Sequence, residues 1–99
     1  MCYNRYNSSY DRACEDAKRL PAAFKEYNNS RGNLAAMNVA ELWIMQLASE
    51  WPIDYNQLVG MWVIKLTDDR ERLLLMAQGK TKLDAILQAT RLMNVYCGV

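Results

Sequence analysis

The chain has 99 residues, of which 52% are apolar, and carries a net charge of +1 from twelve basic and eleven acidic side chains. That length supports one domain with one core, and the apolar share excludes a disordered tail. The near-balanced charge excludes a broad electrostatic footprint on nucleic acid or anionic membrane, so any binding patch must come from local clustering.

No apolar run approaches the roughly 18 residues that a membrane span requires. Met1-Cys2-Tyr3-Asn4-Arg5 lacks the apolar stretch of a signal peptide. The expectation is a cytoplasmic protein with no membrane partner. Cys2, Cys14 and Cys97, odd in number and widely spaced, fit that compartment as partly buried thiols. A Cys2–Cys97 link or an intermolecular disulfide is the alternative.

Residues 1–8 read as a flexible polar lead-in and 9–97 as a single helical domain. Ser8 and Asp11 have the spacing of a capping box, which predicts a helix from Ser8 or Ser9. Tyr10, Ala13, Cys14, Ala17 and Leu20 recur at helical spacing on it. Its other side holds charges four apart (Arg12 with Asp16, Glu15 with Arg19), each pair worth a few tenths of a kcal/mol. Pro21 either kinks this helix or opens a second, short one at its first position. Asn28-Asn29-Ser30-Arg31-Gly32 then makes the clearest break in the chain.

Leu34 to Leu66 holds all three tryptophans and no basic residue before Lys65. Asn33 predicts the cap of a long helix running to about Trp51, where Pro52 stops it. Its apolar side centres on Ala36, Ala40, Ile44, Leu47 and Trp51, flanked by Met37 and Trp43. Asn38, Glu41, Gln46, Ser49 and Glu50 form the opposite side. Leu42 and Met45 fall in the middle of that polar side, where a surface helix should carry nothing apolar. Either another element of the domain covers them or they centre a partner-binding surface.

Asp54 and Gln57 suggest the start of a further helix carrying Tyr55, Leu58, Val59, Trp62, Val63 and Leu66 as a stripe, with Gly60 inside it. Thr67, Asp68, Asp69 and Glu71 suggest the start of another, over 68–78. Residues 60–66 and 72–78 also suit the arms of a hairpin, because Met61–Leu66 is rich in strand formers. The intervening Asp68-Asp69-Arg70-Glu71 has no glycine or asparagine, so the usual tight-turn chemistry is missing. Thr81 and Asp84 cap a last helix with Leu83, Ile86, Leu87, Thr90 and Met93 on one face and Ala85, Ala89 and Leu92 beside it. The predicted fold is all-α, a compact bundle of about five helices. The alternative is α+β, with a hairpin at 60–78 packed on helices.

Catalytic chemistry lacks its usual groups. Without histidine there is no general base near neutral pH and no Cys–His or Ser–His pair. The scattered cysteines do not make a zinc site, and no phosphate-binding glycine loop is present; Gly79-Lys80-Thr81 is a helix stop followed by a cap. No enzyme activity, cofactor or metal is expected.

Helix 68–78, the Gly79 turn and helix 82–95 trace the outline of a helix-turn-helix. In that alternative reading Lys80, Lys82, Gln88 and Arg91 would face DNA. The leading expectation is a small non-enzymatic regulator, inhibitor or assembly factor that binds another protein or a copy of itself, which would make it a homodimer. Six tyrosines, three tryptophans and six methionines suit such contacts. The candidate surface is apolar and acidic: Leu42, Met45, Glu41 and Asn38. The tyrosines Tyr3, Tyr6 and Tyr10 add a second candidate patch.

Overall fold

The structure, a computed structural model, describes residues 8–97 and side chains as far as Val95. Its elements are α1 (Ser9–Ala17), α2 (Leu20–Asn29), α3 (Leu34–Leu47), β1 (Ile53–Asn56), β2 (Met61–Thr67), β3 (Leu73–Gly79) and α4 (Lys82–Cys97). The three strands form an antiparallel sheet in the order β1-β2-β3. The fold is therefore α+β, and the all-α bundle of about five helices is overturned. The suggested Cys2–Cys97 link, and Tyr3 and Tyr6, lie outside the described residues.

The helices form where caps and periodicity place them. Ser8 Oγ accepts the Asp11 N–H at 3.1 Å and opens α1. α1 stops at Ala17, and α2 restarts at once with Pro21 in its first turn, so the proline begins a new helix. Asn33 Oδ1 accepts the Ala36 N–H at 3.2 Å and opens α3. Thr81 Oγ1 accepts the Asp84 N–H at 3.1 Å and opens α4. Gly32, at φ +91°, makes the turn between α2 and α3.

Residues 53–79 depart from the helical expectation for local reasons. Asn56 Oδ1 accepts the Leu58 N–H at 2.9 Å, its carbonyl accepts the Gly60 N–H at 2.8 Å, and Gly60 takes φ +67°. Gly60 is thus the left-handed residue of a β1–β2 turn. Trp62, Ile64 and Leu66 then alternate onto one face of β2, which the expected helical stripe did not separate out. Leu58 and Val59, assigned to that stripe, sit at the hairpin tip, Leu58 with 96% of its surface exposed.

The second turn solves its missing glycine with a side chain. Asp68 Oδ1 accepts the N–H groups of Arg70 (2.8 Å) and Arg72 (2.9 Å), and Oδ2 accepts Arg72 Nε at 2.9 Å. These bonds hold the Asp68 carboxyl below its ordinary range, the Arg72 backbone N–H contributing most. Glu71 takes the left-handed backbone at φ +62°, a conformation costing a non-glycine residue about 1 kcal/mol or more. The acidic run read as a helix start is a turn built around one carboxylate.

α4 lies over the inner face of the sheet and touches α1, α2, α3, β2 and β3. Its Ala85, Ile86, Ala89 and Met93 are buried with Ile64, Leu66, Leu75 and Ala77. The approach to β3 is close: a Cβ at Gly79 would come within 2.7 Å of the Asp84 carbonyl carbon and meet the Ala85 nitrogen. Ala13, Ala17, Leu20, Ala23, Phe24, Ile44 and Trp51 complete the same core. Ser9 ties α1 to the sheet, its Oγ accepting the Thr67 N–H at 2.9 Å. The charges of α1 pair differently from the i,i+4 expectation: Arg12 bonds Glu50 and Lys18 bonds Glu15.

Candidate protein-binding surface

α3 has two apolar sides and one polar seam. At 100° per residue, Ala40 and Ile44 point into the core and are buried, together with Ala48 and Trp51 beyond the helix end. Trp51 anchors that end, its indole N–H donating to Asp16 Oδ2 at 2.9 Å. Burial pushes the Asp16 carboxyl above its ordinary value, and the Trp51 hydrogen bond partly offsets this.

The opposite side carries Ala35, Val39, Leu42 and Gln46, at spacings of four, three and four residues, all exposed. Val39 is 68% exposed and Leu42 is 62%. Leu34 and Trp43 widen this strip at its borders, both also exposed. Glu41 is the only charged residue between Leu34 and Leu47. A surface helix of a single domain ordinarily keeps its outward side polar.

The four residues singled out from sequence occupy different settings. Leu42 and Asn38 are exposed together on the outer side, and Glu41 is half-buried at its border. Met45 turns away: it is half-buried, packs against the core and lines a cavity of about 320 Å³ with Ala48, Trp51, Ile53, Lys82 and Ile86. Val39, Leu34 and Trp43 belong to the surface and were missed, because a helical wheel drawn around Trp43 as a core flank leaves them between its two sides. Tyr10, from the second patch, is half-buried against the core.

The residues of the alternative DNA reading do not converge. The first helix of the expected helix-turn-helix is β3, so no such pair forms over 68–95. Gln88 Oε1 accepts the Gln78 N–H at 2.6 Å, toward the sheet edge. Lys82 holds its Nζ 5.0 Å from the centroid of the Trp62 ring, a cation–π arrangement. Arg91 lines a separate cavity with Phe24, Tyr27, Asn28 and Arg31 of the α2 region, and Lys80 is exposed in the turn. The two consecutive helices that are joined by a short glycine turn, α2 and α3, offer no cation on α3 to meet phosphate.

Among the described residues no helix is long and apolar enough to cross a membrane, and no three His, Cys, Asp or Glu side chains gather as metal ligands. Cys14 is half-buried and packs against the core. No family model, curated protein or solved structure matches the chain.

Proposed function

We propose that the protein is a small non-enzymatic binding module, acting as a regulator, inhibitor or assembly factor, that docks another protein or a second copy of itself on the outer side of α3. The observation that carries this reading is the double-sided helix: Val39 and Leu42 face solvent while Ala40 and Ile44 of the same turns are buried. Burying a side chain such as Leu or Val stabilises a complex by about 1.5–3 kcal/mol at full burial, so a cluster of this kind can anchor an interface. The absence of cations on the strip and the carboxylate of Glu41 at its border favour a partner whose contact is apolar with a basic rim. The cysteine usage supports a cytoplasmic setting.

The test is Leu42→Glu. It should leave the thermal midpoint nearly unchanged and abolish either concentration-dependent self-association in light scattering or capture of a partner from the native host. A large loss of stability, or association identical to the parent, would overturn the proposal.

A further inference from the structure

The two edges of the sheet are not alike. β1 has four residues, begins just after Pro52, carries Asp54 and leaves little to pair with, which is how natural sheets blunt an edge. β3 has seven residues, Leu73-Leu74-Leu75-Met76-Ala77-Gln78-Gly79, with no charge and no proline. Its outward backbone groups can be assigned. In an antiparallel ladder alternate residues address alternate neighbours. Gln78 gives its N–H to Gln88 rather than to β2, so Met76, two residues away, also points its N–H and C=O off the edge. Leu74 is the extra residue where the β2–β3 register shifts, since Leu66 faces Leu75 and Thr67 faces Leu73. Neither Leu74 nor Met76 has a hydrogen-bond partner outside the β2–β3 ladder among the described residues.

Beside this edge runs an apolar groove of about 500 Å³, walled by Leu74, Leu75 and Met76 on one side and by Tyr10 of α1 and Leu92 of α4 on the other. We propose that this groove accepts an extended, uncharged apolar segment of a partner protein as a fourth strand, paired through the backbone of Leu74 and Met76. This is recognition by strand addition, in which backbone bonds supply affinity and alternate side chains fill the pocket. The segment is short, because the Gln88 amide already occupies the Gln78 N–H and closes the edge there. One set of its side chains enters the groove against Leu75, Leu92 and Tyr10, and must be apolar. The other set lies beside Leu74 and Met76.

A second copy of the chain does not fit. Antiparallel pairing of β3 with itself has its two-fold axis perpendicular to the sheet, so both α4 helices fall on one side. The strands would be about 4.8 Å apart, whereas packed helices need 8–10 Å. α4 packs mainly on β3, with its first turn seated against Gly79 through Asp84 and Ala85, so the two helices would overlap. A bare strand has no helix to place. This surface is distinct from the outer side of α3, and Leu42→Glu should not affect it.

The experiment is amide hydrogen exchange on the full chain with a blocked synthetic peptide, acetyl-Ser-Val-Thr-Val-Thr-Val-Ser-amide, and a version with proline at the central valine. At a peptide concentration ten times Kd, exchange at Met76 should slow about tenfold, with Leu74 affected and Gln78 unchanged. The proline peptide should do nothing, and Met76→Lys should abolish the effect at Leu74 without lowering the thermal midpoint. No slowing with the valine peptide overturns the proposal. So does slowing in the peptide-free dilute chain, which would mean the edge is already closed, or slowing that tracks protein concentration, which would mean a second copy fills it.

Discussion

α3 and α4 have similar lengths, 14 and 16 residues, but only one of them is fully accounted for by the fold. α4 buries Ala85, Ile86, Ala89 and Met93 and turns Lys82, Asp84, Gln88 and Arg91 outward, where they are solvated or bonded to their neighbours. α3 buries a shorter stripe, Ala40 and Ile44, and presents a second one, Val39 and Leu42, to solvent. Among the described residues, α4 exposes a large apolar side chain only near its end, at Val95. The difference shows what stability alone asks of a helix here: one apolar face and a polar remainder. What α3 carries beyond that is the apolar outer strip on which the proposed docking rests.

Four substitutions break or sharpen this contrast. The largest effect should come at the seat of α4. Gly79→Ala places a methyl group against the Asp84 and Ala85 backbone, which cannot yield as a side-chain tip can. About 3 kcal/mol or more should be lost, read as a fall in the denaturant midpoint. Within α3 the two sides should behave oppositely. Ile44→Ala should cost about 2–5 kcal/mol, while Leu42→Ser should stay within about 0.5 kcal/mol of the parent in the same urea titration.

The smallest effect is electrostatic and concerns the anchor below α3. Burial raises the Asp16 carboxyl above 3.8, so the native state binds that proton more readily than the unfolded chain. Ionised Asp16 therefore weakens the fold above its native pKa, and the penalty fades as pH falls toward 3.8. Asp16→Asn keeps an oxygen for the Trp51 N–H and removes the charge. It should be slightly more stable than the parent at pH 7, and the advantage should vanish in acid. Asp68 works in the opposite sense: its contribution is complete above the ordinary carboxylate value and is lost as pH falls through its depressed pKa. Thermal midpoints across pH for parent and Asp16→Asn separate the two groups.

Local chemistry explains which parts of the fold were legible in the sequence. The helix starts at Ser8, Asn33 and Thr81 were readable because a cap is a contact between residues three apart. The inner side of α3 was readable because Ala40 and Ile44 repeat at one helical turn. Residues 53–79 were legible only in part: the strand formers of Met61–Leu66 suggested a hairpin of 60–66 and 72–78 as the alternative to helices, and β2 and β3 form it. Tyr55, Leu58, Val59, Trp62 and Leu66 satisfy helical spacing by coincidence, and the strand is decided by partners that the spacing does not contain. Those partners are the Asn56 amide, the left-handed Gly60 and the Asp68 carboxylate, which replaces a turn glycine with three hydrogen bonds. At the candidate surface, Leu42 was legible as an apolar residue out of place. Met45 looked equivalent because a helical wheel gives direction but not neighbours, and Trp51 and Ile53 lie beside it. The open edge of β3 is not legible in the sequence, because which strand lies at an edge depends on the order β1-β2-β3.

The three indoles occupy three separate surroundings. Trp51 is 5% exposed and bonded to Asp16, Trp62 is flanked by Tyr55 and Lys82, and Trp43 is 41% exposed on the border of the outer strip of α3. Emission colour follows the polarity around each ring, so Trp51 reports on the integrity of the core and Trp43 on occupation of α3. Covering the outer strip of α3 would thus be readable from Trp43 without a label.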